Sequence, residues 1–159
     1  MSFIKKVLLE ELRGVLWLIV AALLTIYLVL GRNYSVLMVH GQSMETTYEN
    51  RSFVIADKTK DTWTPTRFDV VIVEDSETGE KLAKRIIALG GETVHHKDGA
   101  FYINGKKLEE DVHEKGEHLF IEKTKIPRGC IFVIGDNRGD SMFGIFMIEE
   151  VRGEVIINI

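Results

Sequence analysis

ETVHHKDGAFYING, residues 92 to 105, carries two turn signals close together, Asp98-Gly99 and Asn104-Gly105. Asp-Gly and Asn-Gly are the dipeptides that accept positive φ at both central positions of a two-residue hairpin turn. With TVHHK before the first and AFYIN after it, the stretch predicts a local antiparallel meander.

Working outward, the same texture of short β-rich runs and turn residues continues in both directions. SFVIADK (52–58), DVVIVED (69–75) and KLAKRIIAL (81–89) precede the meander, and CIFVIGDN (130–137) and EVIINI (154–159) follow it. The prolines, Pro65 and Pro127, each stand ahead of such a run, and no internal repeat or low-complexity tract interrupts the series. From Ser52 onward the chain is therefore mainly β.

The N-terminal segment differs. GVLWLIVAALLTIYLVLG, residues 14 to 31, is free of charge and bounded by Arg13 and Arg32. As a helix it spans about 27 Å, close to the thickness of a bilayer core. No face is polar, which argues against a soluble core helix, and the run exceeds the apolar stretch of roughly 7–15 residues in a cleaved signal peptide. It predicts a membrane anchor, with residues 1–13 cytoplasmic and residues 32–159 forming one extracytoplasmic β domain. The orientation follows from Lys5, Lys6 and Arg13 on one flank against Arg32 on the other. YSVLMVHGQSM (34–44) stays apolar after the anchor, which suggests a segment at the membrane surface, a buried first strand, or both.

Charge narrows the function classes. The chain carries a net −4, and the part after the anchor is more acidic still, because the first 31 residues hold three basic and two acidic side chains. A surface that tracks nucleic-acid phosphates is not expected. The lone Cys130 cannot form an intramolecular disulfide, and with no H-x3-H or C-x2-C spacing neither a metal site nor another cofactor is expected.

One serine stands out, Ser43 in HGQSMETTYENRSF (40–53), yet it lacks a G-x-S-x-G setting and a lysine three residues on. As a nucleophile it needs a base whose pKa lies near the working pH. His40 is too near along the chain, and His95, His96, His113 and His118 lie in a polar hairpin or its charged successor EEDVHEKGEH, where solvated surface positions are expected. Lys84, between Leu82-Ala83 and Ile86-Ile87, is the other candidate, since an apolar setting lowers a lysine pKa. A lysine in a β-run also commonly snorkels to solvent, so the pattern alone leaves both readings open.

GQSM, KRIIALGGETV and VIGDNRGDS, in that order after an apolar N-terminal segment, together resemble the motifs of the type I signal peptidases, in the single-span layout of Gram-positive members. The resemblance runs from the anchor nearly to the C-terminus. It implies a β-rich signal-peptidase-like catalytic domain with Ser43 as nucleophile and Lys84 as general base. Met44 matches the methionine beside the nucleophile, near the substrate-binding surface. Gly135, Asp136, Asn137 and Arg138 match the start of the third motif, Ser141 falls where a hydroxyl orients the lysine, and Asp136 is the expected partner of Arg85. The implied substrates are signal-peptide-bearing preproteins cut after small residues, with membrane lipid, secretion-translocon and pilus proteins as further partners. The Ser43 N–H is one implied oxyanion donor; where many relatives place a second donor hydroxyl, this chain has Gly41.

The chain departs from the family pattern twice. Ser43-Met44-Glu45-Thr46-Thr47 lacks the usual proline after the methionine, which predicts a less preorganised loop. After Ser141 comes MFGIFMIEEVRG in place of the usual D-S-R. Such divergence suits a second reading, a non-proteolytic helper in pilus or surface-protein assembly, although a pure binding module needs neither Ser43 nor Lys84. A self-cleaving repressor with the same dyad does not fit the anchor.

Overall fold

A computed structural model of the chain describes residues 2–45, 47–59, 63–76, 78–111, 116 and 118–158, with side chains of the first helix from Leu9 onward. His113 and Thr46 lie outside the described residues. The chain divides into two compact units, Met1–Tyr34 and Ser35–Ile159.

The first unit is helix α1, Ser2–Asn33. Its stretch from Leu9 to Asn33, 25 residues, is long and apolar enough to cross a membrane. Leu18 and Tyr27 are 72% and 73% exposed, and the other described apolar side chains of this helix are exposed as well. From residue 14 to residue 31 this helix is apolar on all sides, the pattern of a membrane span.

The described residues form eleven strands: β1 Tyr34–Met38 (Tyr34 being the last residue of the first unit), β2 Phe53–Asp57, β3 Val70–Glu74, β4 Lys81–Leu89, β5 Thr93–Lys97, β6 Ala100–Ile103, β7 Lys106–Lys107, β8 Ile121–Lys125, β9 Cys130–Ile134, β10 Phe143–Met147 and β11 Val151–Asn158. Seven form one sheet in the order β1-β2-β11-β3-β4-β9-β10, and four form a second in the order β7-β6-β5-β8. The meander of residues 92–105 is the centre of the smaller sheet: Asp98 and Gly99 have φ of 50° and 70°, Asn104 and Gly105 of 52° and 81°. These are the positive angles that the two dipeptides favour.

Strands β4 and β9 hold the domain together because both of their faces are covered. Phe132 and Ile134 of β9 join Ile87 and Ala88 of β4 in a core with Val94, Phe101 and Ile121 of the smaller sheet. Ile131, Val133 and Ile86 point the other way, into a core with Val71, Val73 and Val151. Continuous apolar runs such as CIFVI are what a strand buried on both faces requires.

The structure corrects one expectation and supplies elements that the sequence reading lacks. His96 is buried, with Nδ1 2.8 Å from the Leu119 carbonyl oxygen and its ring 4.5 Å from that of Phe101. Alternation along β5 sets His96 on the same face as Val94, toward the core, while His95 stays half-buried. His118 is exposed, as expected, and so is His40. Strands β8 and β10 were not foreseen; β10 is the segment that follows Ser141 and pairs antiparallel with β9, Phe143 opposite Ile134.

Candidate active site

Ser43 sits in a tight turn after β1. Gly41 enters it with φ of 91°, donating its N–H to Asn50 Oδ1 at 3.2 Å. The turn closes through Glu45 N–H to the Gln42 carbonyl at 3.0 Å and Tyr48 N–H to the Met44 carbonyl at 2.7 Å. Met44, 1% exposed, is the anchor: it packs with Val39, Tyr48, Val54 and Val70 in a third core cluster and reaches the floor of the cleft that Ser43 lines. Ser43 itself is half-buried.

Lys84 lies on β4, opposite Val71 of β3, and is 4% exposed. Burial holds its amine below the ordinary lysine range, opposed by the nearby charge of Glu80. The following residue, Arg85, pairs opposite Ile134 of β9. This alternation turns Lys84 inward and lets Arg85 reach the loop that leaves β9.

That loop, residues 135–141, is where the separated motifs meet. Arg85 grips Asp136 in a fork, Nε to Oδ1 at 2.6 Å and Nη2 to Oδ2 at 2.5 Å, and Thr47 donates its hydroxyl to the same Oδ2 at 2.5 Å. Burial alone pushes the Asp136 carboxyl up, but the hydrogen bonds from Arg85 and Thr47 and the charges of Arg85 and Arg138 outweigh it, so its pKa lies below the ordinary value. Asn137 N–H donates to the Ser43 carbonyl at 3.0 Å and Asn137 Nδ2 to the Gln42 carbonyl at 3.2 Å. Gly135 lies so close that a Cβ there would stand 2.2 Å from the Ser43 carbonyl oxygen and 2.5 Å from Ser141 Oγ.

Ser141 ends a short 3-10 turn, Arg138–Asp140, in extended conformation. Its Oγ accepts from Gly135 N–H at 2.7 Å and from Lys84 Nζ at 3.2 Å, and donates to the Met142 carbonyl at 3.1 Å. With its proton directed to Met142, the hydroxyl faces Lys84 as an acceptor. A neutral amine that donates one N–H in this way keeps its lone pair free, whereas an ammonium has none.

All six residues singled out from the sequence, Ser43, Met44, Lys84, Arg85, Asp136 and Ser141, thus fall at one corner of the larger sheet. The sequence reading missed Thr47, Gly135's role as the spacer between the two serines, and Glu110, which reaches Arg138 from the smaller sheet's side. No local signal marks Thr47 or Glu110, since each acts through a partner far along the chain. Among the described residues no cluster of His, Cys, Asp and Glu is arranged to hold a metal ion.

Comparison with known proteins gives this corner its context. Residues 12–159 match the family model described as signal peptidase, peptidase S26. A signal peptidase I from Bacillus caldolyticus is 33% identical over 168 residues, covering 92% of this chain and 90% of that one. Signal peptidase I T of Bacillus subtilis (strain 168) is 35% identical over 148 residues, covering 84% of this chain and 77% of its own length. The crystal structure of a signal peptidase I from Enterococcus faecalis V583 aligns with a TM-score of 0.50 and 30% identity, covering 60% of this chain and 98% of that chain. The chain belongs to the signal peptidase family, peptidase S26. It is a serine peptidase hydrolase of the type I signal peptidase kind, and its substrates are signal-peptide-bearing preproteins.

Proposed function

We propose that Ser43 is the nucleophile and Lys84 the general base of a membrane-anchored endopeptidase that cuts signal peptides after small residues. The observation that carries this is a buried lysine, 4% exposed, whose amine donates to Ser141 Oγ on the loop packed against the Ser43 carbonyl. A lysine serves as a base only when neutral, and desolvation favours that form.

In this reading the lone pair of Lys84 takes the Ser43 proton as Oγ attacks the scissile carbonyl. The ammonium then protonates the leaving amine, and the same neutral amine activates the water that hydrolyses the acyl-enzyme. The Ser43 N–H donates to the developing oxyanion.

An extended substrate strand suits the cleft. Ser43 shares it with Leu37 and Val39 on one side and Lys81, Leu82 and Ala83 on the other. These three β4 residues pair with β3, whereas pairing with β9 begins only at Arg85. Their outer backbone edge therefore suits a peptide adding as a strand, with small side chains entering the cleft. The segment 14–31 acts as the anchor, with the N-terminus cytoplasmic and the catalytic unit outside.

The deciding experiment incubates the detergent-solubilised full chain, Ser43→Ala and Lys84→Ala with one signal-peptide-bearing precursor. Both variants should be inactive while folded, since removing either member of such a unit costs as much as removing both. Near-wild-type cleavage by Ser43→Ala would overturn the dyad. Binding of precursor without any cleavage by the unmodified chain would instead favour the non-proteolytic helper.

A further inference from the structure

Arg138 is the largest fully buried side chain of the described residues. Its Nη2 donates to Glu110 Oε2 at 2.6 Å, and its Nη1 donates to the Gly135 carbonyl and stands 3.5 Å from Asp136 Oδ1. The guanidinium carbon lies 5.6 Å from the centre of the Phe101 ring on β6. At the other end of the side chain Gly116 lies so close that a Cβ there would stand 2.8 Å from Arg138 Cβ. Glu110, with a side chain 11% exposed, follows β7 of the smaller sheet.

Besides Glu110, Arg138 meets Gly135 and Asp136, the two residues that organise the site. Gly135 touches both the Ser43 carbonyl and Ser141 Oγ, and Asp136 holds Arg85 and Thr47. We infer that the Glu110–Arg138 pair is a positioning device for catalysis: it splints the 135–141 loop against the smaller sheet and so fixes Ser141 and the Ser43 turn relative to Lys84. This rests on the Ser43–Lys84 reading above. A buried ion pair adds little stability over apolar residues of the same volume. What the planar guanidinium supplies is a fixed fork, hence a fixed loop geometry.

The test measures kcat and KM of the full chain on a short peptide substrate, with thermal unfolding of each variant and Ser43→Ala as control. Glu110→Gln keeps the shape and removes the charge. It should lower kcat roughly 10- to 100-fold, the scale of a small misplacement of catalytic groups. KM should stay unchanged, and Glu110→Asp should recover part of the loss. If Glu110→Gln does not fold at the assay temperature, the double variant Glu110→Gln with Arg138→Met, which removes the stranded charge, takes its place and should fold yet remain slow. A folded Glu110→Gln or double variant with full kcat overturns the inference. Residual cleavage by Ser43→Ala would instead overturn the dyad reading itself, whatever the Glu110 variants do.

Discussion

Lys84 Nζ and Ser141 Oγ lie 3.2 Å apart although 57 positions separate them in the chain. The hydroxyl is an acceptor toward the amine because its own proton goes to the Met142 carbonyl. An orienting hydrogen bond to such a group is worth about 1–3 kcal/mol. Ser141→Ala should therefore lower kcat roughly 10- to 100-fold at about 1.4 kcal/mol per decade. Ser141→Thr, which keeps the hydroxyl, should retain most activity. Full activity of the alanine variant in a peptide assay would mean that another group positions the amine.

The pH profile should report Lys84. Its pKa is lowered by burial and held up by Glu80, so kcat/KM should rise with pH through the depressed value as the amine becomes neutral. Glu80→Gln removes the charge that favours the ammonium, and the acid-side limb should then move to lower pH. A limb that stays in place would separate Glu80 from the base.

Function at this position works against stability. Between the lowered folded pKa and the unfolded value near 10.4, the unfolded chain holds a proton that the folded amine does not, so stability rises with pH across that window. Lys84→Met should be inactive yet melt at a higher temperature than the parent at neutral pH, with the difference closing above about pH 10.4. A lower Tm for Lys84→Met at neutral pH would contradict this.

Asp136 has the opposite dependence. Its folded pKa lies below the unfolded one, so its stabilisation is complete above the unfolded value near 3.9 and is lost as pH falls through the folded value. Asp136→Asn, which leaves Arg85 and Arg138 without this carboxylate, should destabilise the domain by about 3–5 kcal/mol at neutral pH. The gap to the parent should narrow in acid unfolding series, and equal denaturation midpoints at pH 7 would count against the pair.

Gly135→Ala tests the close approach of the two serines. A methyl group there would stand 2.2 Å from the Ser43 carbonyl oxygen, a contact with backbone that cannot swing aside. The variant should lose activity at least as severely as Ser141→Ala, because it displaces both the serine turn and the orienting hydroxyl. Wild-type turnover by Gly135→Ala would show that the corner adapts.

Removing residues 1 to 32 should leave hydrolysis of a short peptide largely intact and impair processing of membrane-inserted precursors, since an anchor raises the effective concentration at the bilayer. Equal loss with both substrates would assign the helix a role in folding.

By itself the sequence determined whatever depends on neighbouring residues. The hairpins at Asp98-Gly99 and Asn104-Gly105 were legible because positive φ is a local steric preference, and the helix over residues 14–31 because its uncharged apolar run is continuous. Motif order singled out Ser43, Lys84 and Ser141 as candidates. Only the tertiary structure decided which way each side chain turns. A strand alternates faces by a local rule, but whether a face is covered depends on a distant partner. Hence Lys84, in a run that leaves both readings open, and His96, in a hairpin that reads as solvated, are both buried. Hence also the polar IEKTK of β8 is a strand, because β5 pairs with it, and Glu110 in a charged run is the partner of a buried arginine. Pairing and burial across tens of residues follow from how the two sheets pack, and no window of sequence contains both sides of such a contact.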